Sequence, residues 1–162
     1  MKSVNTYIIL ILLSNILFLS KTANAQSNPD DYYGTWRWLG GNRDTFLIVL
    51  KPSTISSKLT GYHSFAQNGQ TLESSIPGSQ TTTSDSITIN GEVEKDGKFY
   101  YIIHDLTRDA WYMGTMEILQ KNPDRAIFYT RIVERKHLIF EGEKPRPRGR
   151  TFPDNILLER VN

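Results

Sequence analysis

Turn-forming residues interrupt this chain at short intervals, and the runs between them are too short and too β-branched for helices. Gly40-Gly41-Asn42, Asn68-Gly69, Asp96-Gly97 and Lys121-Asn122-Pro123-Asp124 stand between apolar runs. Asn-Gly and Asp-Gly suit tight hairpins because the central residues of such turns need positive φ. The intervening runs are rich in Val, Ile, Tyr, Phe, Thr and Trp, whose shapes suit a pleated surface. This spacing predicts strands over residues 34–39, 45–51, 58–67, 70–75, 86–93, 98–104, 110–119, 126–134, 136–141 and 155–161. Residues 76–85 and 141–153 read as irregular segments, the first rich in Ser and Thr, the second in Pro and Arg.

Strands in hairpin succession predict an all-β fold: a single antiparallel up-and-down β-barrel or curled sandwich of about 8–10 strands. Closing the sheet removes exposed strand edges. Ile87, Ile89 and Val93 alternate with polar residues, which predicts a strand solvated on one face. Phe46 to Leu50 is apolar at every position, which suits a closed barrel wall. A barrel of about 8 strands either fills itself with side chains or holds one small molecule. The sequence leaves that choice open.

The first residues bear on compartment. Lys2 precedes an apolar run, Tyr7 to Leu19, and Ala23-Asn24-Ala25 follows as a small-x-small exit before Gln26. Charge, apolar core and small-residue exit are the parts of a cleaved secretory signal peptide. The run is shorter than the about 20 residues a spanning helix needs. Residues 1–25 are therefore expected to leave, and 26–162 to form one barrel-like domain, secreted or periplasmic, with no transmembrane anchor after cleavage. The whole chain has 19 Lys and Arg against 17 Asp and Glu, and the leader holds two of the cations, Lys2 and Lys21. The remainder is formally neutral, which gives no field for nucleic acid. Cysteine is absent, so disulfides and thiolate chemistry are excluded.

Gly34-Thr35-Trp36 resembles the Gly-x-Trp opening of lipocalins and related calycin barrels. The resemblance implies that Trp36 closes one end of a barrel and that a cation from the last strand, here Arg160, covers its indole. Such a contact contributes about 0.5–2 kcal/mol. Ala25-Gln26, Gly34 to Trp38, Gly41-Asn42, Thr45 to Leu50, Gly61-Tyr62 and Ile156 to Arg160 together resemble a group of small exported proteins of Bacteroidota with a domain of unknown function. That resemblance implies export and a β fold, and no activity.

The chemistry-bearing residues are few. Trp38, Tyr62, Tyr101, Trp111 and Tyr129 recur along the strands. Gathered around a cavity they would suit a flat or apolar ligand, with hydroxyls as polar handles. His63, His104 and His137 are the histidines, spaced too far apart for a local metal motif. His104-Asp105 and Arg108-Asp109 form the best acid/base cluster, and read better as a hydrogen-bonded turn. No nucleophile elbow, P-loop or zinc-protease helix is present. No metal and no cofactor are expected. Lys144, Arg146, Arg148 and Arg150 alternate with Pro and Gly, an extended cationic run suited to carboxylates or phosphates on a partner.

The expectation is an exported, non-enzymatic barrel that binds a small hydrophobic or amphipathic ligand. The alternative is an envelope or extracellular interaction module with a filled core, which meets a partner through the Arg/Pro-rich loop.

Overall fold

A computed structural model describes residues 28–54, 58–79, 86–132 and 149–161. The leader, the strand expected over 136–141, His137, Lys144, Arg146, Arg148 and residues 80–85 of the Ser/Thr loop lie outside the described residues. Nine strands are present among those described: β1 (Gly34–Leu39), β2 (Thr45–Pro52), β3 (Lys58–Gln67), β4 (Gln70–Ser74), β5 (Ile89–Val93), β6 (Phe99–Asp105), β7 (Ala110–Leu119), β8 (Asn122–Ile132) and β9 (Ile156–Val161). No helix among the described residues is long and apolar enough to cross a membrane.

Every strand pairing is antiparallel. Eight strands close on themselves in the order β1, β2, β3, β5, β6, β7, β8, β9, with β9 returning to β1. β4 is an extra strand beside β3. The fold is thus a closed barrel rather than a sandwich. The hairpin chemistry is as the turn residues require. Asn68 and Gly69 both have positive φ, 53° and 79°, and join β3 to β4 in a two-residue turn. Gly97, at φ 79°, joins β5 to β6.

The starts of β5 and β8 differ most from the sequence reading. Pairing of β5 starts at Ile89, so Ile87 is 49% exposed instead of inward, while Thr88 takes the buried place. Thr88 has left the regular ladder: its N–H donates to Gly61 O and its carbonyl accepts from His104 N. β8 starts at Asn122, ahead of the predicted 126. A register shift beside Leu119 absorbs the irregularity there, so Pro123 lies within the strand instead of in the turn.

Alternation along the strands delivers the core. In β2, Phe46, Ile48 and Leu50 are buried and Leu47 and Val49 point the other way, so the FLIVL run is a barrel wall with two unequal faces. The interior is occupied by a near-continuous column of rings. Tyr32 meets Phe99 at 5.8 Å between centroids, Phe99 meets Tyr101 at 5.5 Å, and Tyr101 stacks on Phe128 at 5.0 Å. Phe128 meets Phe46 at 5.4 Å, and Phe46 stacks on Phe152 at 5.5 Å. Phe152 ends the column against His63 and Tyr112. Eight strands enclose just enough room for such a filling. The open choice between a filled and a hollow barrel therefore falls to the filled one along this axis.

A one-turn 3₁₀ segment, Pro29–Tyr32, closes one end of the barrel, held by a reciprocal cap between Asn28 and Asp31. The Tyr32 hydroxyl lies 2.8 Å from Gly97 O and 3.1 Å from Met116 O. Trp36 is fully buried beneath it, and its indole N–H donates to Tyr32 O at 2.9 Å. The contact expected between Trp36 and Arg160 is present, with the guanidinium 4.4 Å from the ring. Arg160 also donates to the Tyr33 carbonyl at 2.7 Å and to that of Asp31. One arginine thereby ties the last strand to the first and to the closing turn.

Candidate functional site

The five aromatics expected around a cavity do not converge. Tyr101 points inward as part of the ring column, and its hydroxyl lies 3.0 Å from Thr130 Oγ1 and 3.1 Å from Tyr129 O. Burial pushes its phenol well above the ordinary value, so it stays a neutral hydroxyl. Trp38 is half-buried and folds over Gly40, where an added Cβ would lie 2.3 Å from the indole. Tyr62, Trp111 and Tyr129 point outward. Lys51 sits over the Tyr62 ring at 5.3 Å, Trp111 stacks on His104 at 4.5 Å, and Tyr129 is 45% exposed. The cause is parity: a strand sends alternate residues to opposite faces, and composition carries no sign of which face is inside.

The cationic loop is corrected at its one described member. Arg150 donates to Thr130 O and pairs with Asp154, whose carboxylate also accepts from Thr130 N at 2.8 Å. It fastens the segment before β9 to β8 and is not a cation held out to solvent. The HDLTRD segment is a hydrogen-bonded turn, as read: Asp105 accepts from Arg108 N at 2.9 Å, and His104 meets Asp109 at 3.0 Å.

One cluster had no signal in the sequence. The ladder on one side of β3 forks: Lys58–Gly61 pairs with β5 and Ser64–Gln67 with β4. His63 sits at the fork, fully buried, with Nδ1 at 2.8 Å from Thr88 Oγ1 and Nε2 at 2.9 Å from Glu73 Oε1. Ser75 and Thr88 hydroxyls meet at 2.7 Å. Glu73 also accepts from Thr107 N at 2.9 Å, and buried Asp105 accepts from Thr151 N and Oγ1 at 2.7 and 2.8 Å. Burial raises the Glu73 carboxyl, but the His63 hydrogen bond and charge, with help from Thr107, outweigh it and hold it below the ordinary range. Burial, assisted by the Glu73 charge, lifts Asp105 above it. Both ring nitrogens of His63 are engaged, so this network reads as a polar lock on the fork. Among the described residues no three His, Asp or Glu side chains are grouped as metal ligands.

One concave feature among the described residues lies outside the barrel wall. Gly91, Tyr101 and Gly114 form one cross-strand row on β5, β6 and β7. The row must have glycine at its flanks. A Cβ on Gly91 would lie 2.8 Å from the Phe99 ring, and one on Gly114 2.5 Å from the Tyr101 ring, so the rings of β6 occupy the space where inward side chains would stand. Over this row runs an open groove of about 290 Å³. Tyr100, Ile102, Met113 and the polar Asn90 line it, together with the charged Lys58, Glu92 and Glu94. Ile102 and Met113, cross-strand partners, are 41% and 43% exposed. The Tyr100 ring is fixed by a hydrogen bond from its hydroxyl to Asp96 at 2.8 Å. A face with apolar walls and charged edges suits an amphipathic molecule.

A family model described as "Family of unknown function (DUF6705)" matches residues 1–160. No curated protein and no solved structure matches the chain.

Proposed function

The chain belongs to a family of unknown function, DUF6705, and we propose that it is an exported, non-catalytic binding protein whose small amphipathic ligand sits on the outer face of the barrel. The observation that carries this reading is the groove over Gly91, Tyr101 and Gly114. The ring column leaves the barrel axis to side chains, which moves the ligand from the inside to the wall. Export is supported by Lys2, the apolar run from Tyr7 to Leu19 and the Ala23-Asn24-Ala25 exit. A non-catalytic role fits the polar lock, in which the buried titratable groups satisfy one another.

Binding would be passive. Ile102 and Met113 would lose water against the ligand at about 25 cal/mol per Å² of apolar area covered, and the fixed Tyr100 ring would supply a flat wall. The test is a backbone-amide NMR titration of the purified protein with a panel of single-ring amphiphiles. Shifts confined to the outward positions of β5, β6 and β7, and lost in the double variant Ile102→Glu, Met113→Glu, are expected. Shifts spread evenly over the protein, or absent, would sink the proposal.

A further inference from the structure

We infer that the groove selects a small organic cation, an amine or quaternary ammonium carried on a single ring or short alkyl body. The inference deepens the groove reading above and rests on it.

The argument is one of charge and shape. Glu92 and Glu94 lie two apart on β5 and just beyond it, both exposed at the same edge. Lys58 stands in register with Glu92 and offsets one of them. One carboxylate is left over at the groove. Lys98 is held by Glu117 at 2.8 Å, and neither it nor Lys95, which follows Glu94 in the chain, lines the groove. Tyr100 stands in register with Glu92 and two residues before Ile102 on the same strand face, and lines the groove with both. An aromatic face beside a carboxylate is the arrangement that attracts a desolvated cation, through the ring quadrupole and the charge together. The phenol of Tyr100 is held above its ordinary value, first by its hydrogen bond to Asp96, then by burial and the charges of Asp96 and Glu94, against a smaller opposing contribution from Lys98.

The apolar part of the ligand also has its place. Ile102 and Met113 are neighbours across β6 and β7, beside Tyr100, and methionine sulfur adapts to ring edges. The groove, at about 290 Å³, lies at the small end of the range for ligand sites and limits the body to about one ring. An anion would meet two carboxylates and one lysine, and a neutral amphiphile would leave the surplus carboxylate unused.

The experiment compares three molecules with one body: phenethylammonium, 2-phenylethanol and phenylacetate, titrated into the purified protein at low salt and neutral pH. Phenethylammonium is expected to bind about tenfold tighter than the alcohol, and the acetate weaker than either, with the preference shrinking as salt rises. Glu94→Gln should cut the preference for phenethylammonium over 2-phenylethanol about fivefold. Equal binding of cation and alcohol, or a preference that Glu94→Gln does not reduce, overturns the cation inference and leaves the groove reading standing. Failure of all three molecules to shift residues of the groove overturns both.

Discussion

Arg160 shows how much one side chain can carry when its charge, its ring contact and its hydrogen bonds act in different directions. It lies on the Trp36 indole, donates to the carbonyls of Tyr33 and Asp31, and sits opposite Trp36 across the β1–β9 pair. Arg160→Met keeps most of the apolar stem but loses the cation and its donors. It should lower stability by about 2–3 kcal/mol, combining the cation–π and hydrogen-bond losses. Urea denaturation followed by tryptophan fluorescence would measure it, and a loss under half a kcal/mol would be inconsistent with this role. Glycine positions give the reverse comparison. Gly114→Ala puts a methyl 2.3 Å from Tyr129 O, and Gly41→Ala meets nothing within 4 Å. The first should cost about 2–4 kcal/mol and the second close to zero, by the same denaturation measurement.

At the scale of elements, the fork of β3 is the place where pH should act. Glu73 titrates below its unfolded value, so it contributes stability above the ordinary carboxylate range that is lost as pH falls through its lowered folded value. Asp105 titrates above its unfolded value, so it takes up a proton first on acidification, and the fold gains stability as that happens. Stability should therefore rise slightly as pH drops from neutral towards the carboxylate range and then fall steeply below it. Glu73→Gln should flatten the acid limb, and Asp105→Asn the limb nearer neutrality. Chemical denaturation at a series of pH values separates the two, and a profile with the limbs exchanged would contradict the assignment.

For the whole molecule, the decisive property is that the barrel axis is full of rings. The wild-type protein should take up no benzene inside its core. Phe128→Ala removes the ring between Tyr101 and Phe46, should cost about 3–5 kcal/mol, and should open an apolar cavity that binds benzene. Calorimetry or ligand-observed NMR reads both. Benzene binding by the wild type at an interior site would restore the hollow-barrel reading and displace the groove from its place in the proposal.

Much of the fold was legible locally. Asn68-Gly69 and Gly97 adopt the positive φ their chemistry permits, and β1, β3 and β7 span the residues their patterns predicted. The contact of Trp36 with Arg160 was also in reach, as what the resemblance of Gly34-Thr35-Trp36 to the calycin opening implies. The strands and turns depend on backbone sterics and short-range pattern, which each segment of sequence carries by itself. The polar lock and the groove were not legible. His63, Glu73, Thr88 and Asp105 come from separate strands and loops, and Gly91, Tyr101 and Gly114 form a row only because β5, β6 and β7 pair in one register. Five aromatics could be named, but only closure decided that Tyr101 lies within and Tyr62, Trp111 and Tyr129 without. Local sequence was enough for most of the described strands, the Asn-Gly and Asp-Gly turns and the closing tryptophan. Register and closure, which depend on volumes and pairings summed over distant strands, decided what fills the interior and which outer face is left to bind.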